Sequence, residues 1–157
     1  MDIRKANTQD IPQILRLLAQ VGQVHYMVRP DLFRAGARKY DKAALERLFM
    51  QEDRPVFVAM EGGQMLGYCF CVRKETKCDP VLEDYLSLYI DDLCVDESCR
   101  GQHVGTKLYS YARGYAREIG CKSVTLNVWA DNKSALEFYT RLGLRPQKIG
   151  MESILED

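Results

Sequence analysis

The chain has 157 residues, a length typical of one domain with a self-sufficient hydrophobic core. Its 22 lysines and arginines balance its 22 aspartates and glutamates, which excludes a general attraction to nucleic acid or an anionic membrane. No apolar run is long enough to cross a bilayer, and no hydrophobic signal segment follows Met1. We therefore expect a soluble cytoplasmic protein with no nucleic-acid or membrane partner.

The predicted elements begin with a short strand over 3–6 and a helix for which Thr8 is the expected N-cap. The apolar stripe of this helix has helical spacing and comprises Ile11, Ile14, Leu15 and Leu18. Residues 23–40 lack a regular pattern, and a second helix is predicted over 42–50. The first part of the chain therefore supplies two helices joined by an irregular segment.

Two β-rich segments, 55–60 and 65–72, flank the turn sequence Glu61-Gly62-Gly63 and predict a hairpin. After a polar loop, residues 85–95 form a long strand candidate that carries two adjacent aspartates near its end. Paired carboxylates are unusual inside a strand. The strand over 85–95 is therefore a candidate location for functional residues.

A helix is predicted from His103 to Ile119, with Gly120 as its stop. Three elements follow: a strand over 123–128, a helix over 132–142 ended by Gly143, and a strand over 149–155 that closes the sheet. No repeat or linker-like tract divides the chain. We expect a single domain over 1–157.

The six cysteines include no C-x-x-C pair, and only two histidines accompany them, so the sequence predicts no metal site. Cys69, Cys71 and Cys94 lie in apolar strand segments and are expected to be reduced core residues. A catalytic thiol would need an activating histidine brought to it by the fold, and the local sequence nominates neither histidine for that role.

The polar turn between the long strand and the following helix has the composition of an anion site. Free amide groups at a helix start and the helix dipole favour a phosphate there. Gly101 and Gly105 allow close backbone approach, and Arg100 adds a positive charge. Taken alone, the same residues describe an ordinary turn into a surface helix. A Walker P-loop and a dinucleotide fingerprint are disfavoured because their residue order and glycine spacing differ.

Two segments together resemble the GNAT acetyltransferase family. The turn resembles the family motif R/Q-x-x-G-x-G/A, with His103 in place of the first glycine. The stretch 127–144 resembles the family segment N-x-x-A-x-x-F/L-Y-x-x-x-G-F/L. The resemblance implies an α/β (α+β) fold with a mixed central sheet flanked by helices. It also implies an N-acetyltransferase that uses acetyl-CoA as acyl donor.

The resemblance further implies where the cofactor binds. The pyrophosphate is expected on the turn Arg100, Gly101, Gln102, His103, Val104, Gly105 and Thr106, and the pantetheine arm on Leu93, Cys94 and Val95. The family separates two parallel strands beyond a β-bulge, so that the thioester lies between them. The bulge is expected within 93–95.

The chemistry requires a proton acceptor, because an alkylammonium ion with a pKa of about 10.4 cannot attack a thioester. Asp91 and Asp92 directly precede the cofactor segment. We favour Asp91, since strand alternation places it on the face of Tyr89 and Leu93, with Asp92 opposite, and a bulge would exchange those directions. The alternative is a pair of solvated strand-end carboxylates.

Tyr139 matches the family residue that donates a proton to the departing thiolate, although helical spacing alone describes it as a core tyrosine. Asn132 matches a residue that contacts the cofactor arm, and it also suits the N-cap of its helix. Both roles can coexist.

By resemblance, the acceptor site is walled by His25, Tyr26, Arg29 and Phe33, which alternatively belong to an ordinary loop. Their mixed chemistry leaves the acceptor open among a polyamine, an amino acid, an aminoglycoside and a protein amine. Two other functions compete: an acyl-CoA-binding sensor without turnover, and an interaction domain that has lost the cofactor site. The segment from Gln147 onward has an apolar alternation suited to a homodimer.

Overall fold

The computed structural model describes residues 1–155. The described residues form two compact units, Met1–Asn127 and the part that begins at Val128. The first unit contains strands β1 (Asp2–Lys5), β2 (Val56–Glu61), β3 (Gln64–Thr76), β4 (Tyr85–Val95) and β5 (Ser123–Leu126), with helices α1 (Ile11–Val28), α2 (Lys42–Phe49) and α3 (Val104–Glu118). The second contains α4 (Lys133–Arg141).

The five strands form one sheet in the order β1-β2-β3-β4-β5. The first four are antiparallel to their neighbours, and β5 runs parallel to β4. The parallel pair requires a crossover connection, which α3 supplies. The predicted mixed sheet, its hairpin and the α+β class are therefore confirmed.

The first helix begins and ends differently from the prediction. Asn7, not Thr8, is the cap: its side chain accepts a hydrogen bond from the Gln9 amide at 2.9 Å, and Asp10 accepts one from the Asn7 amide at 2.8 Å. This capping box opens a short 3-10 helix at Thr8–Asp10, which leads into α1. The helix then runs to Val28, because tertiary packing overrides the low propensity of its glycine and valines.

The core lies on both faces of the sheet. On one face, α1 and α2 pack on β2 and β3 through fully buried residues that include Ile14, Leu17, Leu45, Val58 and Tyr68. On the other face, α3 buries Leu108 and Ala112. A Cβ atom on Gly67 of β3 would lie 2.6 Å from the Cys94 carbonyl oxygen and 3.0 Å from the Leu108 side chain. Glycine at this position therefore lets α3 pack close to the sheet.

The predicted final strand over 149–155 is wrong, since these residues belong to no strand. Ile149 is 78% exposed and Met151 is 89% exposed. Alternation of apolar residues marks a segment that is able to bury one face, but it supplies no partner strand. Within residues 1–155, no helix is long and apolar enough to cross a membrane.

Candidate active site

Strands β4 and β5 separate halfway along β4. Residues 87–90 of β4 pair with residues 123–126 of β5, and the pairing ends at Ile90 and Leu126. Strand β4 continues to Val95, held on its other side by β3. The second half of β4 therefore has one edge with no partner strand among residues 1–155. Backbone N–H and C=O groups on such an edge are available to a ligand.

A β-bulge lies where the two strands separate. Ile90 pairs with Cys71 and Asp92 pairs with Phe70, which leaves Asp91 as the extra residue. The prediction of a bulge within 93–95 is wrong, because those residues pair regularly with β3. The core explains the position: Ile90 is buried outside the α1–α2 core, whereas Cys94 is buried within it. Four residues of regular strand would return Cys94 to the face of Ile90, so one extra residue is required between them.

The bulge turns both carboxylates toward the same side. The Asp91 Oδ2 atom accepts a hydrogen bond from Lys39 Nζ at 2.6 Å, and the Asp92 Oδ2 atom accepts one from the Tyr68 hydroxyl at 2.8 Å. Tyr68 belongs to the α1–α2 core, and Lys39 comes from the segment between those helices. The prediction that Asp92 points away from Asp91 is therefore wrong. Leu93, which pairs with Cys69, takes the opposite face.

The two carboxylates have different environments. Burial raises the pKa of Asp92, against the hydrogen bond from Tyr68 and the charges of Lys39 and His25, which act to lower it. Asp91 is ion-paired, and its side chain is 21% exposed. Burial acts to lower the pKa of Lys39, but the hydrogen bond to Asp91 and the charges of Asp91, Tyr40 and Asp92 together outweigh it, and the pKa is raised. A partly buried carboxylate with a raised pKa is the better proton acceptor near neutral pH.

The residues predicted to wall the acceptor site lie at the end of α1 and just beyond it. The rings of His25 and Phe33 are 5.0 Å apart, and Arg29 forms an ion pair with Asp31. Tyr26 is half-buried on α1. Of this set, His25 is near enough to Asp92 for its charge to act on the carboxyl pKa.

Sequence reasoning missed Lys39 and Tyr40. The Tyr40 ring stacks on Phe70 with centroids 5.5 Å apart, and this contact fixes the irregular segment beside β4. The only signal in the sequence was an aromatic residue just before the helix cap at Asp41, and a single aromatic residue is too weak a pattern to locate in three dimensions.

The turn after β4 adopts two left-handed backbone conformations. Gly101 has φ of 79°, and His103, the residue before the first turn of α3, has φ of 60°. The family motif has glycine at the position of His103, and a left-handed conformation is the reason to prefer glycine there. Among the hydrogen bonds of residues 1–155, none is donated by the amides of Val104, Gly105 and Thr106. These groups are free to bind an anion.

The end of β4 is anchored to α1 by a buried carboxylate. Asp96 bonds to Arg16 and accepts hydrogen bonds from the Ser98 amide at 3.0 Å and the Ser98 hydroxyl at 2.8 Å. Burial acts to raise the pKa of Asp96, but Arg16 and Ser98 outweigh it and lower the pKa to about 2. This ion pair fixes the point from which the turn departs.

The cysteines near the site are structural. Cys94 is buried, and burial raises the pKa of its thiol to about 12, so it is not a nucleophile at neutral pH. Cys69 and Cys71 are buried as predicted. Across residues 1–155, no cluster of three or more histidine, cysteine or acidic side chains is arranged to hold a metal ion.

In the second unit, Asn132 caps α4, with its side-chain oxygen accepting a hydrogen bond from the Ala135 amide at 3.2 Å. The Tyr139 ring packs edge-on against Phe138, with centroids 5.0 Å apart. Gly143 ends the helix region with φ of 88°. The predicted helix and its cap are confirmed, and the roles of Asn132 and Tyr139 stay predictions.

The sequence profile of the Acetyltransferase (GNAT) family matches residues 23–144. This chain belongs to the GNAT family. It is 30% identical to YhfO of Bacillus subtilis, named as an uncharacterized N-acetyltransferase, over 91% of this chain and 89% of the relative. It is 29% identical to MJ1207 of Methanocaldococcus jannaschii, named likewise, over 71% of this chain. The match spans 48% of that relative's length.

Solved structures of this fold agree with the family. A variant of the BH1408 protein from Bacillus halodurans is 30% identical to this GNAT chain and superimposes with a TM-score of 0.94, over 99% of this chain and 100% of that one. The aminoglycoside N-acetyltransferase AAC(6')-Iy in complex with CoA superimposes with a TM-score of 0.73 at 15% identity, over 99% and 100% of the two chains. The second likeness concerns the fold alone.

Proposed function

We propose that this protein transfers the acetyl group of acetyl-CoA to a primary amine by direct attack of the amine on the thioester. The proposal rests on the structure of β4 and of the turn that follows it. One strand presents an unpaired edge, two carboxylates on one side and, directly after it, a turn with free amides. The CoA complex of an acetyltransferase with the same fold supports the choice of cofactor.

The cofactor side of the proposed site uses backbone groups. Residues 100–106 take the pyrophosphate through the free amides of α3, with Arg100 adding charge. The open edge of Leu93, Cys94 and Val95 takes the pantetheine arm. An N–H group on that edge then stabilises the oxygen of the tetrahedral intermediate.

The acceptor side uses the carboxylates. The acceptor arrives as an ammonium ion and gives a proton to Asp92, which is favoured over Asp91 because burial raises the pKa of Asp92. The free amine nitrogen bonds to the thioester carbon, and the C–S bond breaks as the intermediate collapses. By its match to the family segment, Tyr139 gives a proton to the leaving thiolate, and Asn132 contacts the cofactor arm. The attacking nitrogen releases its remaining excess proton, which restores the Tyr139 hydroxyl through solvent, and Asp92 returns its proton to solvent.

An amine panel assayed with acetyl-CoA for release of free thiol tests this proposal. The panel contains a polyamine, free amino acids, an aminoglycoside and a lysine peptide. We expect amine-dependent thiol release with at least one class. CoA binding without release by any amine would instead favour a sensor, and absence of CoA binding in calorimetry would favour an interaction domain.

A further inference from the structure

The Lys39 ammonium group occupies the acceptor side of the proposed site. Its Nζ atom lies 2.6 Å from Asp91 Oδ2 and 5.7 Å from the centre of the Tyr40 ring. The charge of Lys39 also acts on the pKa of Asp92. The Lys39 cation therefore acts on both carboxylates of the bulge.

The backbone of Lys39 has a fixed position, whereas its side chain can move. Tyr40 is held by stacking on Phe70, so the backbone next to Lys39 has a defined position. The Lys39 side chain itself is 45% exposed and reaches Asp91 over a sequence separation of 52 residues. Because partly exposed ion pairs contribute only about 1 kcal/mol or less, the ammonium group can leave Asp91 without disturbing the core.

The acceptor and Lys39 carry the same chemical group. An alkyl amine with a pKa of about 10.4 reaches the site as an alkylammonium ion, and so does Lys39. The two adjacent carboxylates attract either cation. Two ammonium ions at the same carboxylate would repel each other, which makes their binding competitive.

We propose that Lys39 is an internal competitor of the acceptor, whose ammonium group holds the position beside Asp91 that the acceptor's alkylammonium group takes on binding. The inference rests on the proposed function and deepens it. It names the acceptor class as an aliphatic alkylammonium ion. It also makes Lys39 a specificity-determining residue, because an acceptor binds only when its contacts exceed those of Lys39.

Replacing Lys39 with alanine provides a direct test. The substitution removes the atoms from Cγ to Nζ, which together equal n-propylammonium. We expect n-propylammonium to bind Lys39→Ala up to roughly fivefold more tightly than wild type in a calorimetric titration without acetyl-CoA, because the competing ion pair contributes about 1 kcal/mol or less. The added substitution Asp91→Asn should abolish this gain, and 1-propanol should not bind either protein. Lys42→Ala, which removes an exposed lysine paired with Glu46, is the matched control and should behave as wild type.

Lys39→Gln, which keeps the stem and removes the charge, is the second variant if Lys39→Ala fails to fold by circular dichroism. Equal n-propylammonium affinity in wild type and in the folded variant overturns the inference, as does a gain that survives Asp91→Asn. Failure of the proposed function looks different. Tighter n-propylammonium binding with no thiol release from acetyl-CoA would keep the inference and remove the acetyltransferase.

Discussion

The two sides of the proposed site are built in different ways. The cofactor side consists of backbone groups: a strand edge, a turn with left-handed residues at Gly101 and His103, and the free amides of α3. The ion pair between Arg16 and the buried Asp96 anchors it. The acceptor side consists of side chains, and Lys39, one of its members, comes from an exposed irregular segment.

Backbone groups on one side and side chains on the other suit two different kinds of ligand. Backbone groups that are fixed by turn geometry suit a ligand that never changes, such as the pyrophosphate of CoA. Side chains from a weakly packed segment adapt to different acceptors with few changes in the core. Substitutions on the two sides should therefore separate, with cofactor affinity affected by one and acceptor chemistry by the other.

The largest expected effect is on the acceptor side. Asp92→Asn removes the proposed proton acceptor and should lower kcat about 100-fold or more, with the affinity for CoA unchanged. Asp91→Asn should mainly raise the KM for the amine, since Asp91 binds the cation. Steady-state rates with the best amine of the panel measure both. Near-wild-type kcat in Asp92→Asn would remove this residue from the mechanism.

Tyr139→Phe should lower kcat about tenfold to 100-fold and leave CoA affinity intact, because in the proposed mechanism the hydroxyl acts only on the leaving thiolate. Tyr115→Phe is the matched control, since Tyr115 packs on Phe57 at the α3 face of the sheet. Its turnover should equal that of wild type. Equal rates in the two variants would leave the thiolate without an assigned acid.

The ion pair between Arg16 and Asp96 should make the free energy of unfolding fall at acid pH. The pKa of Asp96 is lowered to about 2 in the folded protein, so its contribution is present above the ordinary aspartate pKa near 4 and is lost as pH falls toward 2. Wild type should exceed Arg16→Met by about 1 kcal/mol in unfolding free energy at pH 6. Chemical denaturation at several pH values measures the difference, and a difference independent of pH between 6 and 2 would contradict this.

The smallest expected effect concerns the left-handed residue at the start of α3. His103→Gly should raise the free energy of unfolding by about 0.5–1 kcal/mol, because glycine adopts φ of 60° without strain. Gln102→Gly, next to it but without a positive φ, should lower stability through the entropy of the unfolded chain. Thermal or denaturant unfolding compares the two, and destabilisation by both would argue against strain at His103.

The same contrast explains what the sequence predicted. The turn, β4 with its bounds and α3 were recognisable because backbone geometry restricts which residues serve there, as with Gly101 and Gly120. The mixed sheet was implied by the resemblance to the GNAT family, which the turn and the stretch 127–144 carry. These features are local in the chain and leave local patterns.

The features that sequence did not locate depend on contacts between distant residues. The bulge at Asp91 satisfies the burial of Ile90 on one face and Cys94 on the other, and neither face is visible in the sequence. Lys39 meets Asp91 only after the chain folds. The final strand failed because alternation over 149–155 does not supply a partner.

The separation of the two sides is tested most directly by acetyl-CoA saturation curves for Asp92→Asn and Arg100→Gln, measured with the same amine. Asp92→Asn should show a lower kcat at an unchanged KM for acetyl-CoA. Arg100→Gln should show a KM raised about tenfold at an unchanged kcat, because it loses only a phosphate contact. The reverse assignment, or a lower kcat together with a higher KM in both variants, would contradict the account. In that account, the carboxylates of β4 bind the acceptor and the turn that follows β4 binds the cofactor.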